Sequence, residues 1–264
     1  MSDDVTPLDR AFAAMDAAPE DDALRMRFYE RLADAELFLL LTEEPEGDEI
    51  KPQIFPVEDR EFVLVFDREE RLAEFSAGVA ALAVLSGRNL ALMLAGQGIG
   101  MAVNLGAPSS ILIPGTAVEW LSETLGPGPE EVEELPEAFA PPVGLPEAVI
   151  ASLDTKLAMA GGLARMAYLC AVTYRGGRAS HMLAIIDPVP GAEAALAQAV
   201  GEALTFSGIE AGVMDVGFFK ASDPVCAKLS RVGLRFDLPE HQTATAAVPG
   251  SAPGMDPESP PRLR

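Results

Sequence analysis

Apolar residues recur at helical spacing near the start of the chain and then switch to strand spacing. Leu24, Phe28, Leu32 and Ala35 fall on one face, the pattern of a core-facing helix, and the acidic start Glu20-Asp21-Asp22 suits that helix's N-terminus. A shorter helix precedes it, with Thr6 or Asp9 as its cap and Pro7 in the first turn, where a missing N–H costs nothing. The period then shortens to two. Glu36–Leu41, Lys51–Val57 and Glu61–Asp67 read as strands, the last two joined through Glu58-Asp59-Arg60. The acidic run Glu43–Glu49 lacks the ligand spacing of a calcium loop and reads as a solvated hairpin tip. Asp67 is placed to cap a helix over Arg68–Phe75, with Leu72 and Phe75 facing inward. Ser86–Ala95 reads as a short helix, and the apolar runs Met101–Leu105 and Ser110–Ile113 as strands. Thr116–Leu125 closes this half as a helix with Trp120 packed inward.

From Gly126 to Pro146 the composition shifts to Pro, Gly and Glu, which predicts a linker and a domain boundary. The second half restarts with a helix over Glu147–Ala160, stopped by Gly161-Gly162. Strands Met166–Tyr174 and Ser180–Asp187 form a hairpin around Arg175-Gly176-Gly177. Ala192–Phe206 is an Ala-rich helix, Val213–Phe219 a strand, Pro224–Val232 a helix and Leu234–Leu238 a last strand. Beyond Pro239 the chain loses all periodicity and reads as a disordered tail. The pattern predicts an α+β protein of two tandem domains, with mixed or mainly antiparallel sheets flanked by helices: 1–125, a linker 126–146, 147–239, and a tail 240–264.

Charge narrows the function classes. The chain has 41 acidic and 19 basic residues, a net charge of −22, which repels phosphate backbones and anionic lipid surfaces. No basic stripe for nucleic acid is present. The N-terminus "MSDDVTPLDR" shows no signal-peptide pattern, and the apolar stretch around Leu82–Leu105 is broken by Arg88, Asn89 and glycines. Cys170 and Cys226 are the two cysteines, in no metal-like spacing. The expectation is a cytoplasmic protein that binds neither nucleic acid nor membrane and needs no cofactor or metal.

The run "AGQGIGMAVNLGAPSSILIPG", Ala95–Gly115, opens with a glycine loop of the kind that cradles phosphates. A dinucleotide fingerprint needs G-x-G-x-x-G after a strand and before a helix. Here Met101 stands where the third glycine belongs, and a helix precedes the loop while an extended run follows it. No helix N-terminus is then left to hold a pyrophosphate, and no Gly-Lys-Ser/Thr makes a Walker loop. The glycines read as a helix stop and a tight entry into a buried strand.

These residues also carry a resemblance. "GIGMAVNLGAPSSILIP" resembles the segment of SseB-family N-terminal domains in which a glycine-containing strand ends in Asn-Pro-Gly; here Asn104-Leu105-Gly106 stands in that place. "FDREERLAEF", Phe66–Phe75, is similar to the same family's strand-to-helix turn. The order of helix, "AYLCAVTY…HMLAIID" hairpin and helix–strand–helix–strand resembles the family's C-terminal domain, and the likeness spans roughly residues 20–239. The family is named for enhanced serine sensitivity. The family has no established reaction, and the resemblance implies a protein that binds a protein partner or small metabolite, regulatory in serine metabolism.

Little catalytic chemistry competes with that reading. His241 lies in the tail, and His181 sits on a hairpin strand beside Ser180, whose side chain points to the opposite face. No G-x-S-x-G elbow exists. Cys170 alternates with apolar neighbours, and Cys226 lies on a short helix in an acidic protein. The turn after Met101–Leu105 is the strongest candidate patch. Asn104 and Gly106 suit left-handed backbone angles, and Ser109 and Ser110 present hydroxyls nearby. Two readings stay open: a non-enzymatic binding protein, with homo-oligomerisation compatible, or an enzyme or enzyme accessory with a cryptic site at Gly100–Ser110.

Overall fold

In the computed structural model, residues 5–45, 50–78, 80–126, 136–208 and 214–239 are described. The chain builds two mixed sheets, each carrying its larger helices on one face, in the expected α+β class. In the first half the elements are α1 (Pro7–Ala17), α2 (Asp22–Asp34), β1 (Glu36–Leu40), β2 (Ile54–Val57) and β3 (Arg60–Phe66). They continue as α3 (Glu69–Ser76), β4 (Leu82–Ser86), α4 (Gly87–Leu94), β5 (Gly100–Val103), β6 (Ile111–Ile113) and α5 (Gly115–Leu125). The strand order is β4-β1-β3-β5-β6, with β2 also paired to β3. Only β3 and β5 run parallel.

Local chemistry explains the ends of the leading helices. Thr6 caps α1 by a reciprocal box: its hydroxyl accepts from the Asp9 amide while the Asp9 carboxylate accepts from the Thr6 amide. Asp21 caps α2 by accepting from the Ala23 and Leu24 amides. Alternation in the strands then divides the side chains between faces. Leu37, Leu39, Val63, Val65, Met101 and Val103 pack under α1, α2, α4 and α5, while Leu40, Phe62, Leu64 and Phe66 face α3.

The second half comprises β7 (Pro136–Ala140), α6 (Glu147–Met159), β8 (Met166–Tyr174), β9 (Ala179–Ile186), α7 (Glu193–Phe206), β10 (Met214–Phe219), α8 (Cys226–Val232) and β11 (Leu234–Asp237). Its strand order is β10-β9-β8-β11, with β7 on β8. The β8–β9 hairpin forms as its sequence predicts, and β10 joins β9 in parallel after the α7 crossover. Helices α6 and α7 cover one face of this sheet and α8 the other.

Four features differ from the sequence expectation. Leu82–Ser86, read only as part of a buried apolar stretch, is a strand. Residues 136–140, placed in the linker, form β7 against β8, whereas 127–135 lie outside the described residues. Asp67 does not cap α3, whose N-cap Arg68 makes no side-chain cap bond. Phe75 is 41% exposed, stacked at its ring on Phe66 rather than buried. The expected tail, 240–264, lies outside the described residues.

The helix layers of the halves meet. Phe206 of α7 joins the first half's core against Trp120, ring centroids 6.5 Å apart, and Trp120 packs inward on Tyr29 as its position predicts. Around this contact Lys156 Nζ donates to Asp34 at 2.7 Å and to Glu202 at 3.3 Å, and Arg88 forks onto Glu202 at 2.5 and 2.8 Å. Ser152 donates to Glu30, and Gln198 to the Leu125 carbonyl. Burial alone would raise the Glu202 carboxyl pKa, but the Arg88 hydrogen bond and the two cations hold it below the usual range. No described helix is long and apolar enough to cross a membrane.

Candidate functional site

The glycine loop has the order that its sequence predicts. Helix α4 runs into it and strand β5 leaves it, so the loop does not itself open a helix, as a dinucleotide fingerprint requires. Gly98 holds a positive φ of 71°, and a Cβ on Gly115 would sit 2.4 Å from the Gly98 carbonyl oxygen. The loop is packed closely against the start of α5.

At the other end of β5 the chain turns at Asn104, with φ of 51°. Asn104 is fully buried, and its bonds reach beyond its own turn. Its Oδ1 accepts from the Asp67 amide at 3.0 Å, clamping the end of β3, and its Nδ2 donates to Ser109 Oγ at 3.0 Å. Ser109 Oγ donates to Asp9 Oδ1 at 2.5 Å. Arg71 completes the cluster: it forks onto Asp9 at 2.8 and 2.7 Å and donates to Asp67 Oδ1 at 2.7 Å. Thr6 Oγ1 donates to the other Asp67 oxygen at 2.5 Å.

Three remote segments therefore converge: the α1 cap, the β3–α3 turn and the β5–β6 turn. Of the four residues singled out from sequence, Asn104 and Ser109 enter the cluster. Gly106, with φ of 88°, shapes the exposed turn, and Ser110 is exposed and contributes its amide to the Ala107 carbonyl. Sequence reasoning missed Asp9, Asp67 and Arg71 as partners. The available signals were the Thr6/Asp9 cap spacing and the i,i+4 pair Asp67/Arg71.

The electrostatics are settled within the cluster. Burial would push the Asp9 carboxyl up, yet hydrogen bonds from Arg71, Ser109 and the Thr6 amide, with the Arg71 charge, hold it far below the usual carboxylate range. The Asp9 hydrogen bond in turn raises the Arg71 pKa. A carboxylate held so low is a poor general base toward the neighbouring Ser109 hydroxyl. The described residues bring no three His, Cys, Asp or Glu together in a metal-like group.

Beside the cluster lies a cleft of about 360 Å³, walled by Val5, Phe12, Ala13 and Pro108, with Asp9, Arg71 and Ser109 at its polar side and Asp16 among the lining residues. Neither cysteine is activated by its surroundings: burial pushes the Cys170 thiol up to about 11, and burial with Asp223 and Asp187 raises that of Cys226. Comparison with curated proteins and with solved structures returned no match. Residues 8–120 do match a family model, that of the SseB protein N-terminal domain. That stretch holds Asp9, Asp67, Arg71, Asn104 and Ser109, and over it the chain carries an SseB N-terminal domain.

Proposed function

We propose that this chain is a non-enzymatic cytoplasmic binding protein, regulatory in serine metabolism, whose second half is an SseB C-terminal-like domain. Its ligand, a small metabolite or a side chain of a protein partner, enters the cleft beside Asp9 and Arg71. One observation supports this most: an apolar cleft abuts a rigid polar cluster whose members already satisfy one another. Pockets that bind small groups combine apolar walls with a few fixed polar atoms, and about 360 Å³ falls at the small end of their range. Arg71 is committed to two aspartates, so the cluster of Asp9, Asp67 and Arg71 keeps one net negative charge. An anionic ligand is disfavoured there, and a neutral or cationic group with an apolar body is the fitting class.

The test fills the cleft without touching the core. Ala13 is exposed on α1, so Ala13→Trp should block entry and shift melting by no more than about 2 °C, the scale of a neutral surface change. Affinity capture from the native cell, with metabolites and proteins both identified, should recover a species that the Trp variant loses. Equal recovery by both proteins would overturn the assignment of this cleft.

A further inference from the structure

We propose that β4 is a self-association edge: two copies of this chain pair antiparallel through Leu82–Ser86 and join their first sheets into one. Strand β4 ends the sheet, paired to β1 alone. The Leu41 amide bonds the Ala81 carbonyl and the Gly87 amide bonds the Ala35 carbonyl, so residues 81, 83, 85 and 87 turn their backbone groups toward β1. By alternation the N–H and C=O of Leu82 and Val84, and the N–H of Ser86, point outward, and no described strand takes them. An open row of this kind is a template for another strand.

The other edges are guarded in ways β4 is not. Strand β2 carries Pro56, β7 carries Pro136 and Glu137, β10 carries Asp215, β11 carries Arg235 and Asp237, and β6 is three residues long. Strand β4 reads Leu-Ala-Val-Leu-Ser, with neither charge nor proline, inside an uncharged run from Ser76 to Gly87. Val84 at its centre is 47% exposed.

The occupant follows from symmetry and charge. About a twofold axis at Val84, that residue meets its own copy in a pair that exchanges both backbone hydrogen bonds, and Leu82 meets Ser86 on each side. The strip is therefore complementary to itself in hydrogen bonding and in apolar side chains. Two copies that each carry −22 repel at most approaches, and this uncharged strip is where contact avoids opposing carboxylates. A five-residue strand buries a small area, so the dimer is weak and tightens as salt screens the long-range repulsion.

The experiment is sedimentation velocity on the full chain over roughly 1 µM to 1 mM, the range in which small interfaces associate. The unaltered chain should shift from monomer to dimer, more readily at higher ionic strength. Val84→Glu and Val84→Lys each set like charges opposite one another across the axis, and each should weaken association at least about tenfold, the equivalent of roughly 1.4 kcal/mol. An equimolar mixture of the two should regain the dimer, because Glu then faces Lys. Circular dichroism of each variant verifies folding, which the half-exposed position permits. A chain monomeric at every concentration would overturn the proposal. So would unchanged association of either variant, or a mixture that fails to recover.

Discussion

Replacing Asn104 with alanine tests whether one buried amide holds the β5–β6 turn to the end of β3. The substitution removes two hydrogen bonds, from the Asp67 amide and to Ser109 Oγ, in a residue with no exposed surface. It strands the part-buried Asp67 N–H, at about 1–3 kcal/mol. It also puts alanine at φ of 51°, a left-handed angle that asparagine tolerates and alanine resists by about 1 kcal/mol. The expected loss is about 3 kcal/mol, or roughly 6–12 °C in melting temperature for a chain of this size. Asn104→Gly separates the two causes, because glycine adopts the angle freely but makes neither bond, and it should recover about 1 kcal/mol of the loss. Denaturant unfolding monitored by Trp120 fluorescence gives both values. The reasoning fails if alanine and glycine destabilise equally, or if either costs less than about 1 kcal/mol. Asn104 does not line the cleft, so capture compared at equal folded concentration should fall only as far as Ser109 loses its place in the cleft wall.

Acid should expose the contribution of Asp9. Its folded pKa lies below the unfolded value of 3.8, so its stabilisation is present above that value and is lost as pH falls toward the folded pKa. Unfolding free energies measured from neutral pH down should decline below about pH 4, and Asp9→Asn should flatten that decline; an identical acid limb in both proteins would refute it. Lys156→Ala leaves Asp34 and Glu202 facing each other with Arg88 alone, and should cost about 3–5 kcal/mol in denaturant unfolding, the scale for breaking a buried pair. A cost under about 1 kcal/mol would mean water already screens the group. In thiol titration with an aromatic disulfide at neutral pH, the native protein should show one slow thiol, Cys226, while Cys170 reacts only on unfolding; two fast thiols would contradict the burial of Cys170.

The sequence made legible those elements whose periodicity or punctuation is local. The α2 face, the β8–β9 hairpin and the helix–loop–strand order at Gly96–Gly100 all follow from neighbouring residues. Strand β4 was hidden because Ala83 and Leu85 face the helices while Leu82 and Val84 face the other side, so an apolar residue occupies both faces and no alternation appears. Strand β7 was hidden by Pro136 and Glu137, which signal a linker but are tolerated on an edge. The polar cluster was half legible. Asn104 and Ser109 stand close together in sequence, but the Arg71–Asp9 pair spans 62 positions, and locally only the i,i+4 spacing from Asp67 points to Arg71. Asp67 has the composition of a cap, yet its carboxylate turned to Arg71, one helical turn on, and to Thr6, a donor brought from elsewhere in the fold.

The contact between the halves explains why the α1–α2 hairpin matters beyond its own core. Helix α1 brings Asp9 to the cleft, and Phe12 joins it to α2 through the Phe28 ring, 6.2 Å away. Helix α2 then carries Asp34 to Lys156 of the second half. The two carboxylates and two cations of that contact sum to zero charge, so the protein's large negative charge does not open it. Ionic pairs of this kind add little stability over an apolar replacement, because desolvation offsets their attraction. Their geometry is what restricts the contact. Sliding α7 by one helical turn, about 5.4 Å, would take Glu202 off the Arg88 fork and leave Arg88 only its 3.4 Å contact with Asp34. The Arg88 fork thus adds a directional constraint to the apolar contact of Phe206 with Trp120. Helix α1, which carries part of the cleft wall, packs on α2, a helix tied to the second half by charge pairing as well as by packing.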